Sequence, residues 1–200
     1  MKLIYSDQEL AVCIKPVGLD SEKQVPESLS AMLGGEIFPV HRLDMNVGGV
    51  MVFARTKHTA AALSKLIQEG YMVKEYYARV HGCPPETGDW EDLLFKDSKR
   101  NKVFVVQRMR TGVKAARLEY TRLTAQDPAL VRIRLHTGRS HQIRVQFSSR
   151  GFPLCGDHKY GARDTFSAPL LFSCCIRFPW KGQQRIFEAT PDWLYPDTTA

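Results

Sequence analysis

The apolar residues of this chain fall in short runs, and that limits the folds open to it more than any other feature. Leu10 to Ile14, Gly49 to Ala54 and Leu170 to Cys174 have the length of buried strands and are too short for helices that must bury a face. Tyr76 to Val80 and Leu130 to Leu135 alternate as half-exposed strands do. Val103 to Arg110 and Arg117 to Leu123 read as two further strands with arginines on one side, joined by a turn at Gly112 as an antiparallel hairpin. Two segments carry the helical period: Thr59 to Glu69, with Ala62, Leu63, Leu66 and Ile67 on one face, and Ser140 to Ser149, with Ile143 and Phe147 four apart. Thr59 fits as the cap of the first and Gly70 as its stop. Many short strands, few helices and no regular alternation of the two predict an α+β domain on a mixed, mostly antiparallel sheet flanked by helices and loops. Neither GxGxxG nor GxxxxGK[ST] occurs, which disfavours a Rossmann-type fold and leaves no cradle for a nucleotide; no cofactor is expected.

With 200 residues, no internal repeat and no linker-like segment, the chain is expected to form one domain over residues 1–200. Asp7 and Glu9 interrupt the stretch where a secretory signal would be apolar, and no later segment is long and apolar enough to span a membrane, so a cytoplasmic protein without a membrane partner is expected. Cys13, Cys83, Cys155, Cys174 and Cys175 include no CxxC pair and are odd in number. Buried thiols are expected rather than a disulfide framework or a metal centre.

The formal charge of +7 is unevenly spread. Lys96 to Arg150 holds 14 Lys and Arg against the three acids Asp97, Glu119 and Asp127, a net of +11, while the remainder nets −4. Such concentration suits a polyanion, because neutralising phosphates releases counterions. A solvated basic face is the alternative reading of charge alone.

Three clusters hold side chains capable of chemistry. In His41-Arg42-Leu43-Asp44 a polar loop enters a buried strand through Val47-Gly48-Gly49, so Asp44 is either a carboxylate held at the edge of a core or a cap on a turn. In Lys74 to Gly82 the alternation puts Tyr76 on the face of Ala78 and Val80, where an enclosed phenol can pack in the core or stack on a base. Leu135 to Arg144 runs from a strand through Gly138 into a helix, and Arg139, His141 and Arg144 would strengthen an anion site at its start. The spacing leaves room for one guanidinium at the rim and one directed inward. A hydrolase built on Ser140 and His141 or on Cys155 and His158 is disfavoured, since no GxSxG accompanies them.

In this order the clusters resemble the RluA family of RNA pseudouridine synthases, from about Lys15 to Tyr160. His41-Arg42-Leu43-Asp44 resembles the HRLD loop and Lys74 to Gly82 the KxYxAxVxG strand. Leu135 to Arg144 and Gly151 to Gly161 resemble LxTGRxHQIR and GxPLxGDxxYG, and Ile14 to Gly18 the early KPxG segment. The resemblance implies the pseudouridine synthase fold and isomerisation of uridine in ribosomal or transfer RNA without cofactor. It implies Asp44 as the catalytic carboxylate, Tyr76 packed on the base, and Arg144 in an ion pair with Asp44. Arg42 would fill the gap left by the displaced base or hold the displaced backbone, and Lys15, Arg139 and His141 would contact RNA, the first two at phosphates. Val47-Gly48-Gly49 and Gln146 depart from the family's usual Thr-Ser-Gly and histidine. The segment ahead of Leu10 is too short for the S4-type RNA-binding domain of many relatives, and a monomer is expected. The competing reading is a non-catalytic RNA-binding or ribosome-assembly protein on the same fold.

Overall fold

A computed structural model describes residues 1–194, which divide into two compact units, Met1–Lys74 with the segment from Phe172 onward, and Glu75–Leu171. In the first unit β1 (Lys2–Ser6), β2 (Leu10–Lys15), β3 (Phe38–Pro39) and β4 (Gly48–Ala54) combine with β10 (Leu171–Trp180) and β11 (Gln183–Glu188). The order is β1-β2-β4-β10, with β3 also on β4 and β11 on β10. Of these pairings β4–β10 is parallel and the others are antiparallel. Every residue of β4 is buried, as its unbroken apolar run requires.

Helix α1 (Gln24–Leu33) has no counterpart in the expected elements, because Pro26 disguises it. Proline at the third helical position removes an N–H that has no intrahelical acceptor anyway, and the helix buries Val25, Pro26 and Leu29. Helix α2 (Lys57–Gln68) lies where its period predicts and packs Leu63 into a core with Val50, Val52, Ile176 and Phe178. Its cap is Thr56 rather than Thr59: the Thr56 hydroxyl oxygen accepts the Thr59 N–H at 3.1 Å.

The second unit holds β5 (Val73–Val80, entering from the first unit), β6 (Thr87–Asp97), β7 (Lys102–Val106), β8 (Val113–Arg122) and β9 (Ala129–Leu135), in the order β5-β9-β8-β6-β7. Helix α3 (Gln142–Ser148) follows and buries six of its residues. The expected hairpin of β7 with β8 does not form, since both pair antiparallel with β6 from opposite sides. The sequence of β6 concealed it, because Asp89, Glu91 and Asp92 are poor strand formers. Arginines elsewhere in the fold neutralise them: Arg117 on β8 donates from Nε and Nη2 to Asp89 at 3.0 and 2.8 Å and also pairs with Glu91, and Arg150, beyond α3, pairs with Asp92 at 2.8 Å. Beneath β6, Trp90, Tyr120 and Phe147 form an aromatic cluster with ring centroids 4.6 to 5.2 Å apart. No helix among the described residues is long and apolar enough to cross a membrane.

Candidate active site

In the first unit the peptide from His41 to Val47 is held at almost every step. The His41 ring accepts the Val52 N–H on Nε2 at 3.0 Å, and burial, aided by nearby Lys74, pushes its pKa down to about 3, so it stays neutral with its proton on Nδ1. Buried Ser21 clasps Leu43 twice, its hydroxyl donating to the Leu43 carbonyl at 2.9 Å and accepting the Leu43 N–H at 3.3 Å. The Asp44 carbonyl accepts the Val47 N–H at 3.0 Å and closes a turn. The Met45 carbonyl accepts from Gly18 N–H at 2.8 Å and from Lys15 Nζ at 3.1 Å. Asp44 is therefore a half-buried residue on a turn that main-chain contacts fix on both sides.

Lys15 is the clearest departure from expectation. It is fully buried, and Nζ donates to the carbonyls of Pro16 and Leu19, both at 2.9 Å, besides that of Met45. With its three N–H groups spent on the loop it is an anchor of the Asp44 turn, not a phosphate contact. Burial lowers its pKa to about 8, opposed by the carboxylates of Asp44 and Asp20, which favour the charge.

Gly48 and Gly49 make the next contact possible. Gly49 has φ +126° and pairs with Ser173, where a Cβ would sit 2.4 Å from the Ser173 N and O. Glycine at position 49 is thus a packing requirement: β4 and β10 approach too closely there for a side chain.

In the second unit Tyr76 is 5% exposed and shares the buried face of β5 with Ala78 and Val80, as alternation predicts. Arg144 is buried on α3. Its Nε and Nη2 donate to the two oxygens of Asp157 at 2.7 and 2.8 Å, a bidentate buried pair. Arg144 is therefore not a phosphate ligand at the start of the helix, and Asp157, quoted only as a motif letter, is the carboxylate the sequence reading missed. Arg139 is the exposed guanidinium, with Nε on the Ala115 carbonyl at 2.9 Å.

His141 has φ +50° and Nδ1 at 2.8 Å from the Tyr160 hydroxyl. That hydroxyl oxygen accepts the Val103 N–H at 2.8 Å, so its own proton is placed to donate to His141. Gln146 lies beneath the aromatic cluster, donating to Asp92 at 2.7 Å and to the Trp90 carbonyl at 3.3 Å, and is completely buried. Its departure from the family's histidine is structural. Back in the first unit, Arg42 is exposed and pairs with Glu22 at 2.7 Å. An exposed pair is weak and screened by salt, so a phosphate can compete for it.

The basic segment is a surface. Nine of its 14 Lys and Arg are exposed, among them Lys96 near the end of β6, Lys99 and Arg100 at the β6–β7 turn, Arg108 and Arg110 in the β7–β8 loop, and Lys114 near the start of β8. Arg110 lies over the Phe95 ring at 4.9 Å.

The first unit thus holds a half-buried aspartate on a pinned turn, and the second a buried tyrosine on a strand, a doubly held arginine on a short helix and a basic surface. The RNA pseudouridylate synthase family matches residues 9–149, and the chain belongs to that family of RNA isomerases. An uncharacterized RNA pseudouridine synthase of Chloroflexus aurantiacus is 38% identical over 66% of this chain and 42% of its own length. A dual-specificity RNA pseudouridine synthase of Salmonella typhi is 35% identical over 96% of this chain and 93% of its own. Among solved structures, human RNA pseudouridylate synthase domain containing 1 superposes with a TM-score of 0.83 at 22% identity, covering 98% of this chain and 84% of that one, which shows the shared fold.

Proposed function

We propose that this chain isomerises particular uridines of ribosomal or transfer RNA to pseudouridine, with Asp44 as the catalytic carboxylate. The observation that carries the assignment to Asp44 is the construction of its turn. Ser21, Lys15, Gly18 and Val47 hold the peptide on both sides of it, which is how a reacting group is kept in position before substrate arrives. The reaction breaks the N-glycosidic bond, turns the uracil and rejoins it through C5, and it is redox-neutral, so an ionised carboxylate and a rigid pocket are its main needs. Tyr76 is proposed to pack on the base. That Arg144 pairs with Asp44 rests on the family resemblance; the bidentate grip of Asp157 supports a positioned guanidinium. Arg42, Arg139 and His141 are proposed to contact RNA, with the exposed lysines and arginines of the β6–β7 turn and β7–β8 loop adding a salt-dependent hold. The protein is proposed to act as a cytoplasmic monomer.

The test is tritium release from C5-labelled uridine in ribosomal and transfer RNA transcripts by the wild type and Asp44→Asn. Release by the wild type alone is expected. Equal release by both removes Asp44 from the chemistry. No release from any transcript by folded, RNA-binding wild type would turn the proposal toward a non-catalytic RNA-binding protein.

A further inference from the structure

Within the second unit a thiol, an imidazole and a carboxylate converge from three segments. His81 directly follows β5, Cys155 lies in the loop after α3, and Asp164 lies beyond the short 3-10 turn His158–Tyr160. One ligand atom from each lies within 4.8 Å of the others. The main chain fixes all three. Val80 and Leu154 form an antiparallel bridge, the His81 N–H donates to the Pro153 carbonyl at 2.9 Å, and the Cys155 N–H donates to the Arg79 carbonyl at 2.9 Å. The Gly156 N–H donates to both Asp164 oxygens at 3.0 and 2.9 Å, and the Phe166 N–H to Oδ1 at 3.0 Å. Gly156 has φ +78°, and a Cβ there would lie 2.0 Å from the Ala168 carbonyl oxygen, so the loop wraps tightly around the cluster. The donors therefore sit on a preformed frame.

We propose that His81, Cys155 and Asp164 form a binding site for a divalent cation of the zinc class. A mixed sulfur, nitrogen and oxygen set matches zinc, whereas magnesium and calcium take oxygen alone. Exposed His158 follows Cys155 by three residues with its Nε2 2.9 Å from the Asp164 carbonyl oxygen and 3.8 Å from Asp164 Oδ1, so to serve as a fourth ligand it has to exchange that carbonyl hydrogen bond for the cation. Without a metal, His81 Nε2 and Asp164 Oδ2 are 2.5 Å apart and share a hydrogen bond. Tetrahedral zinc holds its ligand atoms about 3.3 to 3.7 Å apart, so this pair must open by about 1 Å as the cation replaces that hydrogen. Cys155 gives its proton to solvent and binds as thiolate, His81 binds as neutral imidazole with its proton on Nδ1, and Asp164 binds as carboxylate. Two negative ligands then balance the dication. The bound ion would tie the end of β5 to Cys155-Gly156-Asp157, the segment whose carboxylate holds Arg144.

The experiment is a cobalt titration of tag-free, chelator-treated protein carrying Cys83→Ser, which removes the exposed competing thiol. One equivalent of cobalt should give a thiolate-to-cobalt charge-transfer band that zinc abolishes. Cys155→Ala should lose the band, and His81→Ala, at a half-exposed position that tolerates truncation, should weaken binding about tenfold or more. Circular dichroism checks that both variants are folded. Absence of the band in the parent, or a band that survives in folded Cys155→Ala, overturns the site. Cobalt binding to His81→Ala with unchanged affinity does the same.

Discussion

Lys15→Met separates two roles that one lysine beside the Asp44 turn can have. As an anchor, Lys15 supplies hydrogen bonds to three carbonyls, and methionine keeps its stem while removing all three. The Met45 carbonyl retains the Gly18 N–H, but those of Pro16 and Leu19 lose this donor. An unsatisfied buried polar group costs about 1 to 3 kcal/mol. Relief from burying an ammonium offsets part of that for two carbonyls, leaving a net loss of about 1 to 3 kcal/mol. In urea denaturation the midpoint should fall accordingly, with Tm down by about 3 °C for each kcal/mol. The Asp44 turn loosens, so tritium release should fall about tenfold or more in kcat, the scale expected of a misplaced reacting group. RNA binding measured from low to high salt should keep its slope. A phosphate contact would behave in the opposite way: the slope of log K against log salt would drop by about one, with the urea midpoint unchanged. That pair of results would refute the anchoring role.

The same lysine gives a pH signature. Its folded pKa of about 8 lies below the ordinary 10.5, so between these values the unfolded chain binds the extra proton and this group makes stability rise with pH; the wild type should gain on Lys15→Met across that window in urea melts. Asp157→Asn removes the bidentate carboxylate from the buried Arg144 guanidinium and should cost about 1 to 3 kcal/mol by denaturation, where an exposed pair would cost little. Gly49→Ala should destabilise by more than Gly70→Ala, since both have positive φ but only Gly49 meets backbone; the Gly70 change should stay at about 1 to 2 kcal/mol in the same assay. Arg108→Gln with Arg110→Gln should lower the salt slope of RNA binding by about two without shifting the urea midpoint.

What the sequence shows and what it hides follow a physical division. Buried strands such as β4, and the buried face of β5 that carries Tyr76, were legible because period and burial are local properties. Strand β6 was not, since its acids find their arginines on a neighbouring strand and beyond α3, and α1 was masked by a proline that its first turn accommodates. The candidate site divides in the same way. Asp44, Tyr76 and Arg144 belong to compact motifs, but the groups that hold them need no local signal. Lys15 reaches Met45 across 30 positions, and Ser21 reaches Leu43 across 22. An exposed lysine and a buried one read identically in a sequence, and only the carbonyls that converge on Nζ distinguish a phosphate ligand from an anchor. A reacting carboxylate needs both a pocket and a backbone that does not move. In this chain the second need is met by residues whose own side chains never have to touch RNA, which is why a motif can mark the chemistry while leaving its support unseen.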